Sequence, residues 1–196
     1  MKIRRFLARP AALGARLAPG LVLLTLTPFA SAQNQIFDTR TLAPYVPTPE
    51  SVVEQMLEAA GVSDADTLYD IGSGDGRILF AAAERGARAV GVEINATLVE
   101  ETEKRVAELG LTGRVGVIQE DVFNVNLSQA TVVTVYLLSS SNEKLKPKLE
   151  AELAEGSRVV SHDFQFRDWK PEKTVEVQGP SPRMHHVYVY RIGEHK

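Results

Sequence analysis

Asp70-Ile71-Gly72-Ser73-Gly74-Asp75-Gly76-Arg77 is the stretch that decides the fold. It closes the run Thr67-Leu68-Tyr69-Asp70-Ile71, which reads as a buried strand, and it opens a helical pattern over residues 77–85. Glycine at alternate positions lets the backbone turn sharply and lets a ligand approach with no Cβ in the way. A plain strand-to-helix turn can look the same, so the details matter. A dinucleotide fingerprint needs G-x-G-x-x-G, and Arg77 stands where the third glycine belongs. A phosphate loop needs G-x-x-x-x-G-K-[ST], and no lysine follows.

Outward from this loop, strand and helix alternate. Residues 88–93 read as a second strand, 96–109 as an amphipathic helix ended by Gly110, and 114–119 as a third strand. Residues 131–138 form a β-branched run typical of a buried parallel strand. A helix across 143–154, started or interrupted by Pro147, leads to a fifth strand over 157–164. Upstream, Pro44, Pro47 and Pro49 make residues 33–49 an extended lead-in. Thr48 is expected to cap a helix over 52–60, with Pro49 in its first position and Gly61 as its stop. Residues 174–178 and 186–192 alternate around Gly179-Pro180-Ser181-Pro182, the pattern of an antiparallel hairpin. The sum is an α/β fold: a doubly wound, Rossmann-like, mostly parallel sheet with a C-terminal antiparallel hairpin.

Three acids stand where such a sheet places its ligand. Asp70, at the first strand's end, suits a positively charged amino group. Glu93 ends the next strand, where a carboxylate can accept both hydroxyls of a ribose. Asp121 and Val122 follow the third strand, where a side-chain acceptor and a backbone N–H can hold an adenine edge. Cationic amino-acid end, ribose and adenine, in chain order, describe S-adenosylmethionine. Glu93 or Asp121 alone reads equally well as a solvated loop acid; the ordered set carries the inference. With Gly72, Ser73, Gly74 and Gly76 they form the candidate cofactor site.

The loop D-I-G-S-G-D-G followed by Val90-Gly91-Val92-Glu93-Ile94-Asn95 resembles the class I methyltransferases, and the resemblance adds Asn95 to the cofactor side. Tyr45-Val46-Pro47-Thr48-Pro49, Val132-Val133-Thr134-Val135-Tyr136-Leu137-Leu138, Lys146-Pro147-Lys148-Leu149-Glu150, Arg158-Val159-Val160-Ser161-His162-Asp163 and Ile192-Gly193-Glu194-His195-Lys196 narrow it. Over about residues 44–196 the chain resembles the small archaeal broad-specificity protein-lysine methyltransferases and, more distantly, the related mitochondrial lysine methyltransferases. The resemblance implies methyl transfer from S-adenosylmethionine to lysine side chains, with Lys-rich proteins as partners.

Lysine makes one demand of such a site. Its ammonium has no lone pair, and neutralising it at pH 7 from a pKa near 10.4 costs about 4.6 kcal/mol. Desolvation and a neighbouring positive charge offset part of this. A Tyr hydroxyl or a carboxylate can orient the amine or pass on its proton. Tyr45, Tyr136 and Asp163 are the catalytic candidates, each at the carboxyl-end rim. Tyr136 reads as readily as a packed aromatic. His162 is expected to point away from Asp163, because strand neighbours alternate faces. His185 and His186 read as surface or rim residues, Trp169 as a loop anchor or a channel wall, and residues 144–148 as a solvated helix face.

Composition excludes other chemistries. The 196 residues contain no Cys, so disulfide scaffolds, thiolate metal sites and cysteine nucleophiles are ruled out. Three of the four His fall in the last twelve residues, and no metal centre is expected. Residues 1–32 carry five basic residues and no acid, then an apolar run over 17–26 and Ala30-Ser31-Ala32, which reads as a signal peptide cleaved after Ala32. Export to the periplasm or outside the cell is the expectation, with a membrane anchor or a cytoplasmic location as the alternatives. The remaining 164 residues hold 17 basic against 25 acidic groups, a net charge of −8 that repels nucleic-acid phosphates. An adenine-N6 nucleic-acid enzyme would show Asn/Asp-Pro-Pro-aromatic where Tyr136-Leu137-Leu138-Ser139 stands. No nucleic acid is expected as partner. A small-molecule methyltransferase and a non-catalytic exported binding module are the rival readings. One methyltransferase domain over 50–196, acting as a monomer, is expected.

Overall fold

The computed structural model describes residues 42–180 and 182–196. The predicted signal segment and the start of the lead-in lie outside the described residues. Helix α1 (Glu50–Ala59) precedes β1 (Thr67–Ile71), α2 (Arg77–Glu84), β2 (Arg88–Glu93), α3 (Ala96–Glu108) and β3 (Val115–Gln119). A single 3₁₀ turn (Val122–Asn124) leads to β4 (Val132–Val135), α4 (Ser139–Glu152) and β5 (Arg158–His162). The antiparallel β6 (Lys173–Gln178) and β7 (Met184–Arg191) end the chain. The strands form one seven-stranded sheet in the order β3-β2-β1-β4-β5-β7-β6. Strands β1 to β5 are parallel, and β7 enters antiparallel between β5 and β6. From β1 the chain winds outward to β3, then restarts at β4 on β1's other side. The switch point lies between β1 and β4, and the carboxyl ends of the strands there are where open α/β sheets bind their ligands.

Strand alternation divides the apolar residues between two cores. Leu68, Val132, Val160, Val187 and Val189 face α1, α2 and α3, where Met56, Leu57, Leu79 and Val106 meet them. Tyr69, Val133, Val159, Tyr188 and Tyr190 face the opposite way, onto Leu145 and Leu149 of α4 and onto Phe166 and Trp169. Trp169 is therefore a packed anchor, stacked on Phe166 at 4.6 Å, with its indole N–H donating to Glu150 at 2.9 Å. At the amino ends of the strands, buried Asp66 accepts from the Ser63 amide, the Thr131 hydroxyl and the Arg158 guanidinium.

The structure corrects three local readings. The α1 N-cap is Pro49, and the Thr48 hydroxyl instead meets His162 Nδ1 at 3.2 Å, across the sheet end. Helix α4 starts at Ser139, with Pro147 inside it. Serine is a weak helix former, but tertiary contacts hold this turn: Ser141 and Asn142 are buried, and the Ser141 hydroxyl donates to the Leu42 carbonyl. Residues 144–148 are not a free solvated face. Lys146 donates to the Arg167 carbonyl and Lys148 to Glu152 at 2.6 Å, and both side chains are largely covered.

Candidate active site

The loop after β1 forms because three of its glycines hold left-handed backbone, with φ of 76°, 53° and 74° at Gly72, Gly74 and Gly76. At two positions space is limiting as well. A Cβ on Gly74 would lie 2.5 Å from Cε2 of Tyr45, and one on Gly76 would lie 2.7 Å from Cγ2 of Thr102. The Thr102 hydroxyl donates to the Gly74 carbonyl at 3.2 Å and fixes the loop onto α3. Ser73 is buried and its hydroxyl has no hydrogen-bond partner.

The predicted acids stand at or just beyond the carboxyl ends of the adjacent strands β1, β2 and β3. Asp70 is only 3% exposed and accepts from the Thr134 hydroxyl at 2.7 Å. Burial pushes its pKa up to about 7 against that hydrogen bond, and the nearby Glu93 and Asp75 carboxylates add to the rise. A cationic ligand group is what such a carboxyl lacks. Glu93 collects three backbone donors: Gly74 N at 2.9 Å on Oε2, and Ile94 N and Asn95 N at 2.8 and 2.9 Å on Oε1. The Asn95 side chain caps α3 through the Thr97 and Leu98 amides, so Asn95 contributes its backbone to the site. Asp121 accepts from Phe123 N at 3.0 Å, at the start of the turn that buries Val122.

Residues 42–49 form a strap over this loop. The ring of Tyr45 rests against Gly74, and its hydroxyl, close to Asp75, adds to the larger effect of Arg77 in lowering that carboxyl's pKa. Arg77 grips Asp75 through Nε at 2.9 Å and Nη2 at 2.5 Å, and donates from Nη1 to the Thr48 carbonyl at 2.7 Å. The pair Asp75–Arg77 thus ties loop to strap. Sequence reading missed this pair and Thr134, although a lone threonine in the apolar run 132–138 was the available signal.

Tyr136 and Asp163 stand together at the ends of β4 and β5. Tyr136 is half-buried, and its ring lies 3.8 Å from that of His162. Burial, with Asp163 close by, raises its hydroxyl pKa. His162 and Asp163 were expected on opposite faces, and the structure overturns this. Asp163 leaves the strand with φ 60°, so its Oδ2 turns back to 3.4 Å from His162 Nε2. His185, expected as a surface or rim residue, is buried and meets both His162 Nε2 at 2.9 Å and Asp163 Oδ2 at 3.2 Å. Burial holds His162 neutral, with a pKa of about 4. Burial disfavours the charge on Asp163, but the His186 amide and the two imidazoles outweigh it and keep the carboxylate below its usual range. His186 itself is half-exposed, stacked near Tyr188.

Fold, glycine loop and the acids at the strand ends define a class I, S-adenosylmethionine-dependent methyltransferase. Residues 70–173 match the ANTKMT methyltransferase domain. The chain is 50% identical over 155 residues to the protein-lysine N-methyltransferase of Saccharolobus islandicus (strain REY15A), covering 78% of this chain and 96% of that protein. It is 36% identical over 137 residues to the adenine nucleotide translocase lysine N-methyltransferase of Mus musculus, covering 69% of this chain but only 59% of the mouse protein. Among solved structures, the RNA methyltransferase from Salinibacter ruber in complex with S-adenosyl-L-homocysteine shares 47% identity at a TM-score of 0.72, covering 77% of this chain and 96% of that one. The chain belongs to the ANTKMT methyltransferase family.

Proposed function

We propose that this enzyme methylates lysine side chains of proteins, Lys-rich proteins in particular. The 50% identity to the archaeal protein-lysine N-methyltransferase, over nearly that protein's whole length, carries the reading. The residues present suit the cofactor. The glycines let the loop pack closely against Tyr45 and Thr102 at the ends of β1 and β2, and the Asp70 carboxyl is buried there with no cationic partner among the described residues, a setting that suits a cationic ligand group. In this reading Asp70 holds the amino group, Glu93 the ribose hydroxyls, and Asp121 with the Val122 amide the adenine edge. When bound, S-adenosylmethionine supplies an electrophilic methyl group on a sulfonium.

The chain's own residues then position the nucleophile. The strap places Tyr45 against Gly74 beside the cofactor loop, where it can border the incoming amine. Tyr136 Oη and Asp163 at the rim orient the incoming lysine, and the Asp163 carboxylate accepts its proton directly or through water. The amine attacks only once that proton has left.

A second reading, methylation of RNA, is favoured by the Salinibacter ruber relative. The charge of −8 over residues 33–196 weighs against it, because phosphates meet a net repulsion. Incubation with labelled S-adenosylmethionine and, separately, a lysine-rich protein and a structured RNA decides between them. Label on protein lysines, lowered at least tenfold in Tyr136→Phe or Asp163→Asn at unchanged cofactor affinity, is the expected result. Label on RNA alone overturns the proposal. Export rests on the N-terminal pattern, and mass spectrometry of the mature N-terminus in fractionated cells tests it. Among the described residues no helix is long and apolar enough to cross a membrane.

A further inference from the structure

The sequence holds only four histidines, three of them in its last twelve residues, and suggests no metal centre, yet the fold gathers two of them with a carboxylate. His162 Nε2, His185 Nδ1 and Asp163 Oδ2 form a closed triangle with sides of 2.9, 3.2 and 3.4 Å. All three side chains are more than nine-tenths buried. Bonds of about 2.0–2.1 Å to a tetrahedral cation set its ligand atoms roughly 3.3 Å apart, so a cation fits above this triangle with little movement. We infer that His162, Asp163 and His185 form a binding site for one divalent transition cation such as Zn²⁺.

The surroundings hold the three atoms in place. His162 is oriented from behind by the Thr48 hydroxyl on Nδ1, and Asp163 by the His186 amide, 2.9 Å from Oδ1. Outer partners of this kind fix the tautomer and orientation of metal ligands. A neutral imidazole carries one proton, so the donors available between these three atoms are fewer than their contacts, and the carboxylate leaves the group electron-rich. Asp163 reaches its place only by adopting left-handed backbone, a strain that tends to mark functional positions. Two imidazoles and one carboxylate favour Zn²⁺, Co²⁺ or Ni²⁺ over Mg²⁺ or Ca²⁺, which prefer oxygen ligands.

One group competes with the cation. Arg183 Nη2 lies 2.8 Å from the same Oδ2, from a side chain 61% exposed to solvent. A metal ion must displace that guanidinium, and its side of the triangle is the way in from solvent. The site shares Asp163 with the lysine position of the proposed function, but metal binding is read out with no methyl acceptor present.

Cobalt titration of the untagged, chelator-treated full chain tests the inference. One equivalent of Co²⁺ is expected to give the intense visible bands of a four- or five-coordinate ion, bleached by one equivalent of Zn²⁺ and unaffected by Mg²⁺. His185→Gln is expected to weaken Co²⁺ at least tenfold, and Arg183→Ala to tighten it severalfold by removing the competitor. Calorimetry with S-adenosyl-L-homocysteine reports separately that each variant is folded. No visible bands in the wild type, or equal affinity in wild type and His185→Gln, overturns the site.

Discussion

Glu93 bridges two strands' ends: its Oε2 accepts from the Gly74 amide at 2.9 Å, pinning the turn after β1 to the last residue of β2. With the Ile94 and Asn95 amides on its other oxygen, one carboxylate shapes the loop before any ligand arrives. Glu93→Gln places an NH₂ against a backbone donor. Calorimetry should show S-adenosyl-L-homocysteine affinity lowered by at least about tenfold, or about 1.4 kcal/mol, with the folded circular dichroism spectrum kept. Unchanged affinity would remove Glu93 from the site.

Gly74 and Tyr45 make a testable pair. In Gly74→Ala the new Cβ meets Tyr45 Cε2, and the backbone must hold φ 53° with a side chain. The left-handed conformation alone costs about 1–2 kcal/mol. In a double-mutant cycle by chemical denaturation, Tyr45→Ala should recover part of the Gly74→Ala loss, because the collision vanishes and only the backbone cost stays. Strict additivity would mean that the strap does not rest on the loop.

The Asp70 carboxyl gives a pH signature. Its folded pKa, about 7, lies above the ordinary 3.8. The folded state therefore keeps a proton that the unfolded chain has released, and stability falls as pH rises from about 4 to 7. Asp70→Asn, which retains an acceptor for Thr134, should match wild type near pH 4 and exceed it by about 4 kcal/mol at pH 8. A cationic ligand beside Asp70 expels the same proton. Titrations near pH 6.5 in buffers of different ionisation enthalpy should show proton release on cofactor binding, and heats independent of buffer would contradict this.

Asp66 behaves with the opposite sign. Burial opposes its charge, but the Thr131 hydroxyl, the Ser63 amide and Arg158 more than compensate, and its pKa falls below 3.8. Its contribution is complete above about pH 4 and is lost as pH drops through the lower folded value. Asp66→Ala should destabilise by about 3 kcal/mol at pH 7, because Arg158 is left without its buried partner. The deficit should shrink below pH 4, as measured by thermal melts. A deficit that holds constant down to pH 2 would exclude ionisation as its source.

Periodicity and glycine placement made most of the sheet legible. Strand β1 was predicted over the residues it occupies, as was β2, since apolar runs bounded by Gly or charged residues leave little choice of register. What escaped were groupings made only by the fold. Thr48 looked like a helix cap, because a sequence cannot show that His162 lies within its reach across 114 positions. His162 and Asp163 looked divided by strand alternation, and only the turn of Asp163 into φ 60° cancels that rule. His185 offered no sign of burial, since a hairpin's inward face depends on which strand it joins.

Strand β7 is made last among the seven yet lies inside the sheet, between β5 and β6. Until it is synthesised, β5 presents a bare edge and β6 has no neighbour to pair with, so a nascent chain cannot finish folding from its front end. The emerging polypeptide stays sticky late in its birth, and demand for chaperones should peak there.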